Sequence, residues 1–394
     1  MSKKKPHILF LFSDTGGGHR SSTESIIEAL HLEFGDTLTT EMVDFLKGGA
    51  PLPLNKMPDW YPEMVKAPYL WGLSFKMSDS RLRARAITAS MWPYIGHATK
   101  EMVKQHPADL IVAVHALATT PFLKALGDDR PPFVTVVTDM VSTHALWYDA
   151  RADLTLVPTQ QARERALSYG MPVKNIRVVG QPIPERCAVP SGTKAEIRKR
   201  LGWGQDEFIA LLVGGGDGMG PIKENAIAIA NSGLYVGLVI VAGRNEKLKE
   251  ELEDEAENWD IPTYIYGFTK DLPDFMRAAD VLITKAGPGT IAESLAAHLP
   301  LILFARLPGQ EDGNVDFVHE TETGIWAPNP EDVVRTLARW MTHPSNREKV
   351  IENCKQAARP EASRSIARIL GAQVGLIEEK KALLVVKPTF RTPE

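Results

Sequence analysis

The sequence predicts an α/β protein made of two doubly wound domains that face a central cleft. Two glycine-rich turns, at residues 14–20 and 214–220, carry this prediction, because each follows an apolar strand and leads into a helix. The preceding strands are expected at 7–12 and 208–213. Short strands then alternate with amphipathic helices through both halves, which is typical of parallel sheets.

The predicted elements follow from this alternation. A helix is expected at 22–34, where Ile26, Leu30 and Phe34 recur every fourth residue on one face. The further strands are expected at 39–43, 110–114, 133–137 and 154–158 in the first half, and at 236–241, 263–266, 281–284 and 301–304 in the second.

The domain boundary is expected at a break in this pattern. Residues 180–184, Gly-Gln-Pro-Ile-Pro, indicate a linker between the two halves. We therefore expect a first domain at 1–182 with an insertion at 47–94, a second domain at 183–365, and a C-terminal helix and tail at 366–394.

Composition excludes several classes of protein. The net charge of -4 over 394 residues argues against a nucleic-acid-binding protein, which is usually basic. Two distant cysteines, Cys187 and Cys354, favour a reducing cytoplasm. The first apolar run, residues 8–12, is too short for a signal peptide, and no apolar run is long enough to span a bilayer. The expected localisation is cytoplasmic, with any membrane contact peripheral.

The glycine turns also exclude two cofactor types. Glycine allows close approach to a ligand, and the amides that begin the next helix favour phosphate. Neither turn fits G-x-G-x-x-G, since the last glycine is replaced by Ser21 in the first turn and by Met219 or Pro221 in the second. Without a Gly-Lys-Ser/Thr motif, a P-loop nucleotidase is excluded as well.

Residues 47–94 resist the strand–helix scheme, because the segment is rich in proline and aromatic residues. Residues 47–100 hold eight Lys or Arg and three acids, a local charge of +5. Cations beside exposed aromatic rings suit an anionic membrane surface, and the expected contacts are Trp60, Tyr69, Trp71, Arg81, Arg83 and Arg85. The alternative is an insertion that caps its own domain.

Residues 284–293 form the most specific motif. A strand ends there in a glycine turn, and Glu293 falls in the following helix, where its carboxylate can accept both hydroxyls of a ribose. Gly287, Gly289 and Thr290 offer donors to a diphosphate at the helix N-terminus. The alternative is a tight strand–helix turn in which Glu293 is favoured by the helix dipole.

Residues 14–20, 284–293 and 308–314 together resemble the monogalactosyldiacylglycerol synthases and processive diacylglycerol glucosyltransferases. This family of GT-B glycosyltransferases, built from two Rossmann-like domains, also includes MurG. The resemblance spans most of the chain, although residues 305–307 depart from the plant pattern and no transit peptide is seen. It implies an inverting transfer of a hexose, galactose favoured, from a UDP-sugar to diacylglycerol, giving monoglycosyldiacylglycerol at the membrane surface.

The resemblance also assigns the donor site. Phe268 matches the position where family members pair the uracil edge with main-chain groups, and residues 310–311 surround the hydroxyl that distinguishes galactose from glucose. The residues expected to bind the nucleotide sugar are Gly215, Gly216, Asp217, Phe268, Lys285, Gly287, Pro288, Gly289, Thr290, Glu293, Gln310, Glu311 and Asn314.

An inverting transfer needs a base that takes the proton of the acceptor. His19, at the tip of the first glycine turn, is the first choice, because histidine titrates near neutral pH. Asp139, which follows the strand at 133–137, could orient His19 or be the base itself. Alternatively, His19 caps the helix or touches the diphosphate.

Four residues near the same strand ends are expected to contact the acceptor. They are Gly17, Gly18, His144 and Trp147. The alternatives are that His144, like His115, is a satisfied hydrogen-bonding residue, and that Trp147 and Tyr148 pack beneath the insertion.

The chain contains no Asp-x-Asp pair, the usual metal bridge to a sugar diphosphate. We therefore expect no metal and no cofactor, with amides, helix dipoles and Lys285 stabilising the leaving group. Three alternatives stay open: a UDP-sugar 2-epimerase, a MurG-like transferase acting on another lipid, and a binding module without turnover.

Overall fold

Residues 4–64 and 67–379 are described by a computed structural model, and they form two compact units. The first unit holds the chain as far as Glu185, the short segment Leu307–Gln310, and the described residues from Glu361 onward. The second unit holds Arg186–Arg306 and Glu311–Pro360. The prediction of two doubly wound α/β domains is confirmed.

The first unit is built on a six-stranded parallel sheet. Its strands are β1 (His7–Phe12), β2 (Thr39–Asp44), β3 (Leu110–Ala113), β4 (Phe133–Val136), β5 (Leu154–Val157) and β6 (Ile176–Val178), in the order β2-β1-β3-β4-β5-β6. Its helices are α1 (Gly18–Phe34), α2 (Met57–Met64), α3 (Pro68–Ser78), α4 (Arg81–Gln105), α5 (Ala116–Leu126) and α6 (Gln160–Ser168).

The second unit repeats this scheme, apart from α7 (Glu185–Ala188), which crosses the division. Its strands are β7 (Ile209–Val213), β8 (Gly237–Val241), β9 (Thr263–Tyr266), β10 (Val281–Lys285), β11 (Leu301–Ala305) and β12 (Gly324–Trp326), in the order β12-β11-β10-β7-β8-β9. Its helices are α8 (Lys194–Leu201), α9 (Ile222–Ala230), α10 (Glu246–Ala256), α11 (Leu272–Ala278), α12 (Pro288–Ala296), α13 (Asp312–Glu320), α14 (Pro330–Thr342) and α15 (Pro344–Ala357).

The strand order positions the candidate sites. In doubly wound sheets, ligands bind beyond the carboxyl ends of the strands where the order reverses. In the first unit this point lies between β1 and β3, and in the second between β7 and β10. The glycine turns at 14–20 and 214–220 and the motif at 284–293 follow these strands directly.

Sequence reasoning missed two strands and misplaced one helix start. β6 and β12 have three residues each, too few to show a hydrophobic period. α1 begins at Gly18 instead of residue 22, because Gly17 takes the left-handed conformation, with φ of 73°, and turns the chain directly from the strand loop into the helix.

The expected linker at 180–184 is tied to the first unit. The Gln181 side-chain amide donates to the Thr138 carbonyl at 3.1 Å, and the Ile183 backbone exchanges hydrogen bonds with the Ser363 hydroxyl. The division therefore falls later, after Glu185.

The last described helix, α16 (Ala362–Gln373), packs against α1 in the first unit. Ile366 and Leu370 are fully buried in the same core as Ile26 and Leu30. Arg368 also forms a two-point ion pair with Glu33, at 2.8 and 2.9 Å. The described residues of the expected C-terminal segment thus complete the first unit.

The insertion at 47–94 is helical, and it includes α2, α3 and the start of α4; Lys66 lies outside the described residues. Its Asp79 is fixed by Arg165 at 2.6 Å, by the Tyr169 hydroxyl at 2.7 Å and by the Ala145 amide at 2.8 Å. The insertion is therefore anchored to its own domain on one side.

The outer face of the insertion carries exposed apolar side chains. Trp60 is 50% exposed and Tyr69 80%, and Leu70, Leu73, Met77 and Leu82 are exposed as well. Trp71 instead packs edge-on against Tyr61, with the ring centres 5.5 Å apart. Across residues 4–64 and 67–379, every helix falls short of the length and apolar character needed to cross a membrane.

Candidate functional site

The loop after β1 leaves open space above two of its three glycines. Gly17 and Gly18 are exposed, and a side-chain carbon added at either would meet nothing within 4 Å. Arg20 closes the loop by donating two hydrogen bonds to the Asp14 carboxylate, at 2.7 and 2.6 Å. This accessible turn gives a ligand room to approach the backbone.

His19 lies half-buried in the first turn of α1. Its Nδ1 is 2.9 Å from the Thr138 hydroxyl, which follows β4. Burial lowers the pKa of His19 to about 4, and a hydrogen bond to the Val114 carbonyl only partly opposes this. The ring is therefore neutral at pH 7 and carries one lone pair that can accept a proton.

The ring of His115 packs against the ring of His19. The two ring centres are 4.5 Å apart. The Leu117 amide donates to Nδ1 of His115 at 3.2 Å, so in the neutral ring Nε2 carries the proton and donates to the Thr15 hydroxyl at 2.9 Å. Burial holds the pKa of His115 well below its ordinary value. Because His115 is only 6% exposed, unlike the half-buried His19, it matches the structural alternative that the sequence left open.

Asp139 lies beside this pair, and its described partners differ from the expected one. Its carboxylate accepts from the Trp147 indole at 2.6 Å and from the Gln310 amide at 3.2 Å. The partner of His19 Nδ1 is Thr138. Thr138 was missed although it directly precedes Asp139, because a lone threonine after a strand carries no specific signal.

Trp147 is a buried support for Asp139 and not a wall of an acceptor channel. It is only 1% exposed, and its indole N–H is used by Asp139. This corrects the expectation that Trp147 contacts the acceptor, because a fully packed side chain offers no surface to a ligand.

His144 anchors the insertion. Its Nδ1 accepts from the Leu146 amide at 3.1 Å, and its Nε2 is 3.0 Å from the Ser78 hydroxyl. The residue is 6% exposed, and burial lowers its pKa. The expected contact with the acceptor is therefore replaced by a structural one, which joins the end of α3 to the domain.

In the second unit, the turn after β7 is shaped by close backbone packing. A side-chain carbon at Gly218 would collide with the Ala242 carbonyl. Beside this turn, Asp217 pairs with Arg244 at 3.2 Å, and the Arg244 guanidinium lies 4.5 Å from the centre of the Phe268 ring. Phe268 is 56% exposed, so its ring is free to meet a ligand.

Arg244 is a candidate that sequence reasoning missed. It follows β8 at the carboxyl edge of the sheet, and its side chain is 58% exposed. An arginine just after a strand end, next to the glycine turn, is the sequence feature that could have identified this residue.

The turn after β10 leaves an open helix N-terminus. α12 begins at Pro288, and the preceding Gly287 provides no side-chain cap. The amides of Gly289 and Thr290 lie in the first turn, where backbone N–H groups have no partner within the helix. These groups and the helix dipole favour an anionic ligand such as a diphosphate.

Glu293 lies in the second turn of α12 and is half-buried. Burial raises its pKa to about 7, against the smaller opposing effect of Arg186. Its carboxyl group therefore changes charge near neutral pH. A strongly shifted carboxyl group beside an anion site is typical of a functional residue.

The loop after β11 and the start of α13 each contribute one buried side chain to this edge of the second sheet. Lys285 donates to Glu311 at 2.7 Å, and Glu311 is 5% exposed. Asn314 is 1% exposed and donates to the Ala286 carbonyl at 2.9 Å. Asn314 thus braces the turn before α12 through its side-chain N–H, and its contact with the sugar stays a prediction.

The predicted site residues therefore divide into two groups. Lys285 ends β10, and residues 215–217, Phe268, 287–290, Glu293 and Glu311 follow strands of the second sheet, whereas Gln310 bonds to Asp139 in the first unit. Among residues 4–64 and 67–379, no three His, Cys, Asp or Glu side chains form a metal-ligand group. The absence of a metal requirement stays a prediction.

Comparisons with known proteins first show the class of protein to which the fold belongs. The glycosyltransferase family 28 C-terminal domain matches residues 217–364. The fold is also similar to Acinetobacter baumannii MurG, with a TM-score of 0.58 at 14% identity over 92% of this chain and 98% of that one. A putative UDP-N-acetylglucosamine 2-epimerase from Listeria monocytogenes has a TM-score of 0.62 at 13% identity, over 95% and 98%. The architecture is thus that of GT-B proteins.

The family follows from closer relatives. The monogalactosyldiacylglycerol (MGDG) synthase model matches residues 19–183. Monogalactosyldiacylglycerol synthase 2 of Arabidopsis thaliana is 36% identical over 92% of this chain and 79% of that protein. A probable monogalactosyldiacylglycerol synthase 2 of Oryza sativa subsp. indica is 37% identical over 90% and 78%. The chain belongs to the monogalactosyldiacylglycerol synthase family.

Proposed function

We propose that this protein transfers galactose from UDP-galactose to the free hydroxyl of diacylglycerol, with inversion at the anomeric carbon. The observation that carries the proposal is its membership of the monogalactosyldiacylglycerol synthase family over nine-tenths of the chain. The epimerase alternative is not favoured, since its likeness at 13% identity concerns the fold alone.

His19 is the proposed base. Its neutral ring takes the proton from the acceptor hydroxyl as the oxygen attacks the anomeric carbon, and the bond to UDP breaks with its electron pair. Thr138 and the Val114 carbonyl hold the ring in place. Because a pKa of about 4 makes a weak base, a bound anion near the ring would strengthen it by raising that pKa.

The leaving UDP is stabilised without a metal ion in this proposal. The open N-terminus of α12 supplies amide donors and the positive end of a helix dipole to the diphosphate. Glu293, in its ionised form, accepts hydrogen bonds from the ribose hydroxyls. Arg244 adds a cation beside the glycine turn after β7.

The acceptor is reached from a membrane surface. Trp60 and Tyr69 are exposed on the insertion, and Arg81, Arg83 and Arg85 are exposed at the start of α4. Aromatic rings and cations on one segment suit the headgroup region of an anionic bilayer. The anchoring of the same segment through Asp79 keeps this surface fixed to the acceptor domain.

A transfer assay tests the proposed function. Purified protein is incubated with radiolabelled UDP-galactose and dioleoylglycerol in mixed micelles, with UDP-glucose in a parallel reaction. We expect label in the lipid phase, with galactose as the better donor. Label found only in an altered nucleotide sugar would identify an epimerase, and binding without any product would reject enzymatic transfer.

A further inference from the structure

The first unit contains an apolar cavity that no step of the proposed chemistry uses. Its volume is about 300 Å³. It lies between the turns at 45–57, one face of α4 and the first half of α5. The walls include the buried side chains Phe45, Leu46, Met102 and Phe122. The cavity is thus lined in part by packed core residues and is partly open to solvent.

The cavity offers a ligand no polar partner among its threonines. The Thr88 hydroxyl donates to the Ala84 carbonyl at 3.0 Å, and the Thr99 hydroxyl donates to the Ile95 carbonyl at 3.0 Å. The Thr120 hydroxyl bonds to Asp149. The three hydroxyls are therefore satisfied by protein partners. Such a site suits hydrocarbon and disfavours water.

The cavity is separated from the proposed catalytic base by a single residue, His115. The Phe45 ring meets His115 edge-on at 5.4 Å, and His115 is 4.5 Å from His19 by ring centres. Ala116 and Leu117 line the cavity directly after His115. His115 is thus the shared wall between the cavity and the loop that carries His19.

We propose that this cavity binds one fatty-acyl chain of the diacylglycerol acceptor while the glycerol hydroxyl lies at His19. The inference rests on the proposed function and assigns its acceptor a binding site inside the first unit. Leu54 and Met57, which line the cavity, lie in the same segment as the exposed Trp60. A fatty-acyl chain that leaves the bilayer beside Trp60 therefore meets the cavity next. Each methylene buried there strengthens binding roughly fourfold.

A matched pair of substitutions on α4 tests this site. Ala98 lines the cavity, whereas Ala89, nine residues earlier, is exposed on the opposite face of the helix. The ratio of kcat/KM for dioleoylglycerol to that for dihexanoylglycerol is measured in detergent micelles, where membrane docking does not contribute. Ala98→Phe should lower this ratio at least tenfold, and Ala89→Phe should leave it unchanged. An unchanged ratio in Ala98→Phe would overturn the inference.

A second measurement uses the unaltered protein, so that misfolding of a variant cannot confuse the result. A diacylglycerol with a diazirine at the end of one acyl chain is irradiated in the complex, and the labelled peptides are mapped by mass spectrometry. We expect labels within 45–57 and 87–102. Labels confined to the exposed residues of α3 would contradict a buried chain. If the protein glycosylated neither acceptor while labels still mapped to the cavity, the proposed function would fail and the binding site would stand.

Discussion

The Thr138 hydroxyl lies 2.9 Å from Nδ1 of His19, and this contact joins the end of β4 to the first turn of α1. Two segments more than a hundred residues apart therefore fix one imidazole ring. Since Thr138 is only 4% exposed, its hydroxyl is largely shielded from water.

Thr138→Val should weaken this control of the ring. Loss of one hydrogen bond contributes roughly 0.5–1.5 kcal/mol, so we expect kcat to fall about two- to tenfold with KM for UDP-galactose unchanged. Thr138→Ser keeps the hydroxyl and should restore most of the rate. Equal kcat values for the valine variant and the unaltered protein would show that the ring needs no such partner.

His19→Ala should remove most turnover, because a general base contributes typically 10²–10⁴-fold. We expect kcat to fall at least 10²-fold, while UDP affinity measured by calorimetry stays nearly intact. His31→Ala, on the exposed face of the same helix, is the control and should behave like the unaltered protein. Full activity of the His19 variant would transfer the role of base to Asp139.

Binding of UDP-galactose should strengthen as pH rises through 7. The pKa of Glu293 is raised to about 7, so the carboxylate that accepts ribose hydroxyls predominates above this pH and is lost below it. We expect an affinity gain of up to about tenfold between pH 6 and 8. UDP-galactose is the better probe, because the terminal phosphate of UDP itself titrates near pH 6.

Glu293→Gln provides the matched control, since the amide is nearly the same size and does not titrate. Its affinity should be lower and flat with pH. Glu293→Ala should weaken UDP binding by roughly 1.5–3 kcal/mol, as expected for hydrogen bonds to a charged group. If neither substitution changed the dissociation constant, Glu293 would be only a helix acid.

Transfer should proceed without a divalent cation, because the chain lacks the paired carboxylates that usually hold one. Activity is measured after dialysis against EDTA, with and without added Mg²⁺ or Mn²⁺. Rates within about twofold of each other are expected, given the amide donors proposed for the diphosphate. Loss of activity in EDTA and its recovery with metal would contradict a metal-free mechanism.

Replacing Arg81, Arg83 and Arg85 with glutamate should release the protein from phosphatidylglycerol liposomes. These side chains are exposed in the first turns of α4, and each cation near an anionic surface contributes about 1 kcal/mol. UDP binding should be unaffected. Liposome flotation is the measurement, and binding of the unaltered protein should weaken as salt rises.

A triple variant of the second unit controls for the change in net charge. Lys247, Arg335 and Lys349 have side chains that are 85%, 77% and 69% exposed, and their replacement by glutamate changes the charge equally. This variant should still float. If both variants float, the insertion only caps its domain.

Most of the fold could be predicted because its strands carry strong local signals. Strands at 7–12 and 263–266 agree with the observed bounds, and each of the other predicted strands differs by one residue at one end. Hydrophobic runs flanked by glycine or proline suffice for such strands. The short strands and the return of α16 to the first unit could not be predicted, because pairing between distant segments leaves no local pattern.

The site was predictable only where a motif lies at a strand end. Residues 287–290 and Glu293 follow β10 as expected. The functions of buried partners were not predictable: Trp147 and His144 both fit a pattern of acceptor-binding residues, yet each is at most 6% exposed and hydrogen-bonded within the protein. Side-chain burial depends on tertiary packing, which a single sequence does not display.

Because α16 packs in the first unit, the core of that unit cannot be completed until nearly the whole chain has been synthesised. The sheet of the first unit is complete in sequence by Val178, but Ile366 and Leu370 belong to its core and Arg368 to its ion pairs. At roughly 5–20 residues per second, the early half must wait on the order of ten to forty seconds for this helix. During that interval the apolar stripe of α1 that later packs against α16 stays exposed to solvent.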